Sequence, residues 1–537
     1  MRDQILGALR KLGSLFTRFP KDVGVRPDSF PPSLGARDTE APVVGTVVVQ
    51  GVPDKFYFLL FGAIRQQLRK YLNGPAELLV VRSVSGAVGT GCRAELKRSS
   101  VIAWLWSAPW ARAYGSMMRG MAYRSAASHP WADLQDWFKS KALWETLQKG
   151  DENFSLHIDG IEVGDLVVDS YLRFRPAPVF DVEDPFVRRL VWQALRDIRQ
   201  AKKYFGTAKP RLYLTSYTTY IEHGISTRVA LQHDVPVWSF GSLGRFGKRL
   251  DARDAYHTPN CSQYRSDFEQ LAGQDERLGE ARVQLERRLA GGIDIATSYM
   301  RNSAYAATDC LVPEGVNGAV VIFLHDFYDS PHVYPGLVFC DFWRWICFTI
   351  EVLQKSGITF YLKPHPNQIA LSDEALAKLR EKFPGLNWLP SGITNRQLSE
   401  AGMVCGVTVY GTVAHELAYL GVPSIGCAQH PHHAFDFCRT ATTVEEYRAL
   451  LQSPCMLPVS KPEMQRQALV FYYMHNLYGD SEAMALRRAF LEFWRACNVG
   501  EATEEGVLSG FRDLIGLPAF ERFVAILVKS DVGTKVV

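Results

Sequence analysis

The sequence predicts an α/β protein with two Rossmann-like domains, each a parallel sheet covered by helices. Short apolar, β-branched runs alternate with amphipathic stretches of helical length, as where Val43–Gln50 is followed by Lys55–Leu72. The same alternation starts again at Gly318, after a charge-rich segment. Polar residues, glycine and proline follow directly after several of the apolar runs, which is where parallel strands present side chains to a ligand.

The overall composition is that of an ordinary globular protein. The chain has 537 residues, enough for two or three domains, with 47% hydrophobic and 22% charged residues. A net charge of +4 is too small over this length to indicate nucleic-acid binding, so no nucleic-acid partner is expected. The 10 cysteines form no Cys-x-x-Cys pair, which predicts reduced thiols in a cytoplasmic protein. No run of 18 apolar residues is present, so no membrane span is predicted.

Residues 1–42 are predicted to be an amphipathic N-terminal segment followed by a linker. In MRDQILGALRKLGSLFTRFPKD, apolar residues recur at helical spacing and basic residues lie between them. Such a helix can lie in the interface of an anionic membrane, so peripheral contact through residues 1–21 at the inner face of the cytoplasmic membrane is one expectation. The alternative is a helix packed on the body of the protein. The segment lacks the unbroken apolar core of a secretory signal.

The first domain is predicted over residues 43–315, with helical insertions. It opens as strand, helix and strand, and the second strand is Glu77–Arg82. The GAVGTG stretch at 86–91 lacks the Gly-x-Gly-x-x-Gly spacing, so no dinucleotide site is predicted there. Residues 98–148 are rich in tryptophan, arginine and methionine. They are interpreted as helical core, and a surface that stacks on a glycan or approaches a membrane is the alternative.

Two carboxylates stand four residues apart in the stretch IEVGDLVVDSYLRFRP. The stretch is predicted to be a strand, on which Asp165 and Asp169 would point to the same face. They are candidates for binding acceptor hydroxyls and for a catalytic base. The alternative is that the pair holds turns or pairs with Arg173.

A glutamate and a histidine follow a later predicted strand, Arg211–Thr215. Glu222 and His223 are predicted to lie on the loop SYTTYIEHG, ahead of a helix that begins at about Ser226. A histidine can accept or donate a proton near neutral pH, so both residues are candidates for acid–base chemistry. A surface or capping role for the histidine is the alternative.

The second domain is predicted over residues 316–480. Its first strand, Ala319–Leu324, is followed by His325 and Asp326 in a loop that holds two histidines and two aspartates within eight residues. The spacing matches no familiar zinc pattern, and no metal is predicted. A later strand, Ile358–Leu362, ends at Lys363-Pro364-His365-Pro366, where the prolines hold the lysine and the imidazole on a stiff turn.

A strand–turn–helix–strand unit follows at residues 403–426. The predicted strand Met403–Val409 leads into the turn Tyr410-Gly411-Thr412, and Thr412 is a suitable N-cap for a helix over Val413–Leu420. A helix N-terminus at a strand end can bind an anion, and Lys363 and His365 would complete a phosphate site. Glu416 is expected to reach outward and accept from paired hydroxyls, as on a ribose. The alternative is that Gly411 only turns the chain and Glu416 only favours the helix start.

The two motifs Lys-x-His-Pro and Gly-Thr-x-x-x-Glu-x-x-x-x-Gly-x-Pro resemble the donor half of GT-B glycosyltransferases of capsule and surface-polysaccharide biosynthesis. Kdo-transferases and bacterial sialyltransferases share this pattern, and the resemblance covers about Val320–Leu450. It implies a GT-B fold, with two Rossmann-like domains facing a cleft and C-terminal helices over residues 481–537 that pack back on the first domain. It also implies nucleotide-binding roles for His365, Thr408, Thr412 and Glu416. Five further residues at the predicted strand ends are candidates for contacts to the donor: His325, Asp326, Lys363, Tyr410 and Gly411.

The resemblance therefore predicts a metal-independent glycosyltransferase. It would move a sugar from a nucleotide-sugar donor to a glycan or lipid-linked acceptor, without a cofactor. The base would be one of Asp165, Asp169, Glu222 and His223. Two alternatives stay open: a polyol-phosphate transferase that uses a CDP-glycerol-type donor, and a non-catalytic glycan-binding scaffold.

Overall fold

The computed structural model describes residues 43–51, 54–80, 121–125, 129–150, 153–175, 177–242, 244–292, 294, 310–365, 370–499 and 503–529. The amphipathic segment 1–42, the GAVGTG stretch and part of the tryptophan-rich region lie outside the described residues. In the part of the chain that the structure describes, no helix combines the length and the apolar character needed to cross a bilayer.

Strands and helices alternate along the described chain. The strands are β1 Val43–Val44, β2 Val47–Gly51, β3 Leu72–Asn73, β4 Ala76–Val80, β5 Met121–Ser125, β6 His157–Ile158, β7 Ile161–Glu162, β8 Leu212–Thr215, β9 Val237–Ser239, β10 Lys248–Leu250, β11 Val320–Phe323, β12 Phe360–Lys363, β13 Cys405–Val407, β14 Ser424–Gly426 and β15 Cys438–Thr440. The α-helices are α1 Lys55–Leu68, α2 Pro130–Lys149, α3 Gly164–Phe174, α4 Pro185–Ala208, α5 Tyr220–Gln232, α6 Tyr264–Glu269, α7 Gln274–Leu289, α8 Phe342–Lys355, α9 Ala370–Lys382, α10 Asn395–Glu400, α11 Val413–Tyr419, α12 Val444–Gln452, α13 Lys461–Tyr472, α14 Ser481–Asn498, α15 Glu504–Gly516 and α16 Pro518–Lys529.

The chain divides into two compact units. The described residues of unit 1 fall within Met1–Lys141, Val191–His257 and Gly479–Val537, and those of unit 2 within Ala142–Leu190 and Thr258–Tyr478. The described parts of segments 142–190 and 258–315, which the sequence analysis placed in the first domain, therefore belong to unit 2.

Unit 1 is built on a six-stranded sheet with the order β10-β9-β8-β2-β4-β5. All neighbours pair in parallel except β10, which is antiparallel to β9. Counted along the chain, this is the doubly wound order 3-2-1-4-5-6, in which the strand order reverses between β2 and β8. The C-terminal helices pack on α1 in this unit, where the Phe56 ring lies 5.5 Å from that of Phe490.

Unit 2 is built on a five-stranded parallel sheet with the order β12-β11-β13-β14-β15. This is the order 2-1-3-4-5, and it reverses between β11 and β13. Val320, Val321 and Ile322 are fully buried on successive positions, as expected for a parallel strand covered on both faces. The predicted α/β class with two Rossmann-like domains is thus confirmed.

Candidate functional site

The carboxyl ends of three neighbouring strands of unit 2 carry most of the residues predicted to bind a donor. In the sheet register, Phe323 of β11 pairs with Lys363 of β12, and Ile322 pairs with Val407 of β13. The residues that follow these strands therefore emerge side by side at the switch point of the sheet, where ligands of open α/β sheets bind. The partly exposed ones are His325, Asp326, His365, Tyr410, Gly411 and Thr412.

His325 is fixed as a neutral ring in the wall of this site. Its Nε2 lies 3.0 Å from the Thr408 hydroxyl and accepts the Val409 N–H at 3.3 Å. The ring stacks on Phe342 with 4.7 Å between centroids. Burial, with a further contribution from His365, lowers the pKa of His325 to about 3. Its Nε2 is thus occupied as an acceptor, so the ring positions the turn rather than transferring a proton.

Lys363 supplies positive charge beneath the site. Its Nζ donates to the Ser391 carbonyl at 3.1 Å, and only 5% of the residue is exposed. Burial lowers its pKa to about 8, and the Glu416 carboxylate opposes that shift. The amine is therefore mainly protonated at neutral pH, and its charge is only weakly screened by water.

The pKa of His365 is affected by a carboxylate and by an amine. Burial lowers its pKa, Asp326 raises it and Lys363 lowers it. The imidazole is therefore mainly neutral at pH 7 and can act as a hydrogen-bonding group. Asp326 Oδ1 accepts the Tyr328 N–H at 3.1 Å and the Ser372 hydroxyl at 2.7 Å, which holds the carboxylate in place.

The turn after β13 is held by its own hydrogen bonds. The Thr408 hydroxyl accepts the Gly411 N–H at 3.1 Å and contacts His325, and Thr408 is 2% exposed. A Cβ at Gly411 would lie 2.7 Å from that hydroxyl, so the close approach requires glycine. Thr412 occupies the N-cap position of α11, but its side chain makes no capping hydrogen bond, contrary to expectation. Thr408 thus shapes the turn, and its donor-binding role stays a prediction.

The expected outward reach of Glu416 is wrong. Glu416 is 0% exposed and accepts from Arg288 Nη2 and from Asn395 Nδ2, both at 2.6 Å. Arg288 also lies 3.2 Å from Asp294 and 3.5 Å from the Thr412 hydroxyl. A carboxylate enclosed in this way balances a buried guanidinium and braces the start of α11, because an unpaired buried charge would be strongly destabilising.

The predicted strand that carries Asp165 and Asp169 is instead helix α3 of unit 2. Asp165 accepts the Leu166 N–H at 2.8 Å in the first turn of the helix and is partly exposed. The Asp169 carboxylate is fully buried, and its Oδ1 lies 2.7 Å from Nδ1 of His332. Burial raises the pKa of Asp169, and the contact with His332 opposes that shift.

Glu222 and His223 lie in the first turn of α5, not on the predicted loop. They follow β8 at the switch point of unit 1. The side-chain oxygen Oε1 of Gln50 accepts the Ser216 N–H at 2.9 Å. The side-chain nitrogen Nε2 of Gln50 is therefore free to donate to Nδ1 of His223, at 3.1 Å. Burial lowers the pKa of His223 to about 4. The neutral ring therefore carries its proton on Nε2, which lies 3.6 Å from Glu222.

Sequence reasoning missed Arg288, Gln50 and His332. Arg288 lies in a charge-rich helical sequence of the kind that usually faces solvent, so nothing in the local sequence indicates that it is buried. Gln50 is a polar residue ending an apolar strand, a signal that could have been used. His332 was noted only within a histidine- and aspartate-rich loop. Among the described residues, no group of three or more His, Cys, Asp or Glu side chains is arranged to hold a metal ion.

No protein-family model and no curated protein matches this chain. Among solved structures, a UDP-GlcNAc 2-epimerase of Methanocaldococcus jannaschii aligns with a TM-score of 0.25 and 9% identity over 79% of this chain and 98% of that chain. A UDP-GlcNAc 2-epimerase of Neisseria meningitidis aligns with a TM-score of 0.24 and 10% identity over 82% and 97%. The glycosyltransferase SsfS6 of Streptomyces sp. SF2575 aligns with a TM-score of 0.21 and 10% identity over 80% and 95%. Similarity at these TM-scores carries no argument, so the functional reasoning depends on the sheets and side chains of the chain itself.

Proposed function

We propose that unit 2 binds a nucleotide sugar and that the protein is a glycosyltransferase of cell-surface polysaccharide synthesis. The acceptor would be a glycan or a lipid-linked saccharide. One observation carries the proposal: Lys363, His365 and the turn 410–412 converge at the switch point of a parallel sheet. This arrangement suits an anionic ligand such as a nucleotide sugar, in which the phosphates lie between a nucleoside and a sugar.

The charge distribution supports a phosphate at this position. A departing nucleotide accumulates negative charge on the phosphate oxygen that leaves the sugar, and preorganised donors in a partly desolvated site stabilise that charge effectively. Lys363 supplies the cation and His365 a hydrogen bond. Asp326 is held at the rim by Tyr328 and Ser372, where a carboxylate can accept from the hydroxyls of the donor sugar.

Aromatic rings beside the turn 410–412 indicate where the sugar or the base of the donor would lie. The Tyr410 ring lies 5.2 Å from that of Tyr334 and 6.2 Å from that of His430, to which it is nearly parallel. Rings of this kind offer flat apolar surface with polar edges, which suits a base or a sugar ring. The proposal therefore places the phosphates at Lys363 and His365 and the rest of the donor along the aromatic side of the turn.

A thermal-shift panel tests the proposal. UDP, CMP, CDP, GDP and dTDP compounds, their sugars and CDP-glycerol are each added to the full-length protein. A ligand present at 100 times its Kd stabilises the protein by about 2.7 kcal/mol, so one nucleotide class should give a clear upward shift. Selective stabilisation by CDP-glycerol would instead indicate a polyol-phosphate transferase.

Two matched variants show whether the binding occurs at the proposed place. Lys363→Met should abolish the shift, whereas Lys355→Met, an exposed lysine at the end of α8, should leave it intact. Absence of a shift with every nucleotide, or a full shift in Lys363→Met, would contradict the proposal.

A further inference from the structure

The contact between Asp169 and His332 joins two segments that are far apart in the sequence. Asp169 lies on α3, and His332 lies in the 3₁₀ turn Pro331–Val333 that follows β11. Oδ1 of Asp169 accepts the backbone N–H of His332 at 3.4 Å and lies 2.7 Å from its ring Nδ1. The carboxylate side chain is 0% exposed and the imidazole 13% exposed. A buried acid thus holds a histidine that water can still reach.

The hydrogen bonds assign the ring proton. Since Oδ1 already accepts a backbone N–H, it also acts as the acceptor toward the ring, and Nδ1 carries the hydrogen. In the neutral ring, Nε2 then carries the lone pair. Oδ2 of Asp169 is buried and has no hydrogen-bond partner in the described part of the chain. The contacts of Oδ1 with His332 are therefore the main compensation for burying the carboxylate. Protonation of the ring would strengthen that compensation.

Two other histidines at strand ends are arranged differently from His332. His223 accepts at Nδ1 from Gln50 and therefore has its hydrogen on Nε2. His325 uses Nε2 to accept the Val409 N–H. Of these three rings, His332 alone combines a lone pair on Nε2 with a carboxylate that stabilises the protonated form. This is the arrangement that a general base needs.

His332 is also fixed to the proposed donor site. The Tyr410 hydroxyl donates to the Ser330 carbonyl at 3.3 Å, two residues before His332. The Tyr334 ring, two residues after it, lies 5.2 Å from the Tyr410 ring. The turn that carries His332 is therefore held on both sides by the same tyrosine.

We propose that His332 is the general base that activates the acceptor hydroxyl and that Asp169 is its positioning residue. This inference rests on the proposed function. The acceptor O–H proton moves to Nε2 of His332 while the acceptor oxygen forms a bond to the anomeric carbon. The bond from that carbon to the phosphate oxygen breaks, and its electron pair leaves with the nucleotide. His332 afterwards releases the proton to solvent.

Kinetics of His332→Gln, His332→Asn and Asp169→Asn test the assignment. The two His332 variants should keep the affinity for the nucleotide sugar within about twofold and lose kcat by about 10²–10⁴-fold, the usual contribution of a general base. Asp169→Asn should lower kcat and leave KM nearly unchanged. His433→Gln, on the exposed part of the turn Pro431–Ala434, is the matched control and should behave as wild type.

A spectroscopic measurement tests the pair without turnover. Nitrogen-15 NMR of labelled histidine, assigned with His332→Gln, should show His332 in the Nδ1–H tautomer, with loss of that preference in Asp169→Ala, which removes the acceptor oxygen. An Nε2–H tautomer in the wild-type protein, or unchanged kcat in both His332 variants, would overturn the inference. Failure of the wild-type protein to bind any nucleotide sugar would overturn the proposed function instead. The NMR tautomer would still show whether Asp169 accepts the hydrogen of His332 Nδ1.

Discussion

Replacement of Glu416 by alanine separates a structural role from a ligand-binding role. Glu416 is fully buried and is 2.6 Å from both Arg288 and Asn395. Removing one member of a buried ion pair costs about 3–5 kcal/mol, because the other charge stays buried without compensation. Asp294, at 3.2 Å from Arg288, remains as a second carboxylate, so we expect the lower end, about 3 kcal/mol.

Calorimetry of the full-length protein measures this effect. For a unit of this size, about 2–4 °C of Tm is lost per kcal/mol, so Glu416→Ala should lower the transition of unit 2 by about 6–12 °C. Glu416→Gln keeps the shape and the contact with Asn395, and should lose less, on the order of 2 kcal/mol. Combined replacement of Arg288 by Met and Glu416 by Leu should recover part of the loss, since apolar packing then replaces the pair.

The control is Glu445→Ala, which removes the same group from an exposed helix start and should change stability by less than about 1 kcal/mol. The affinity of each variant for the nucleotide found in the thermal-shift panel is measured in parallel. Wild-type stability in Glu416→Ala together with at least tenfold weaker binding would refute the buried-pair reasoning and restore a ribose contact.

Five further expectations can be tested. His365→Ala should lower turnover of the identified donor by orders of magnitude at unchanged Tm, and near-wild-type kinetics would contradict its phosphate contact. Nucleotide affinity should fall about tenfold per pH unit above about 8, because Lys363 with its pKa near 8 loses its charge; a Kd titration should show this fall in the wild type and in Lys355→Met, and a flat titration would contradict the role of Lys363. Without nucleotide, the same group should make unit 2 more stable as pH rises from about 8 to 10.5, since only the unfolded chain still binds that proton; constant stability across this range would argue against a buried lysine. Gln50→Leu should destabilise unit 1 by about 2–4 kcal/mol in urea unfolding, because it leaves Ser216 and His223 without their buried partner. Chelators should leave turnover intact, and a strict Mg²⁺ or Mn²⁺ requirement would contradict the metal-independent mechanism.

The strands of unit 2 were predictable because their signals are local. The predicted strand Ala319–Leu324 corresponds to β11, and the predicted strand Ile358–Leu362 corresponds to β12. A continuous β-branched run bounded by glycine and proline admits few other structures. The convergence of three strand ends then follows from the parallel order of the sheet.

Two helices were not recognised from the sequence. In α3, eight of the residues are buried, and the β-branched residues between the two aspartates favoured a strand. In α5, polar residues of the first turn and Gly224 directly after it placed the predicted start at Ser226 instead of Tyr220. Asp169 and His223 were placed incorrectly for this reason.

The partner of each strand-end histidine determines its chemistry, and that partner is never local in the sequence. His223 receives its hydrogen bond from Gln50, 173 residues away, and His332 contacts Asp169, 163 residues away. A choice of base from residue type and strand position alone selects His223, whose Nε2 bears a hydrogen in the neutral ring. The hydrogen-bond partners instead select His332, because a carboxylate on Nδ1 both orients the ring and stabilises its protonated form. The acid–base assignment is therefore a property of the folded unit 2, in which α3 brings its carboxylate to the loop after β11.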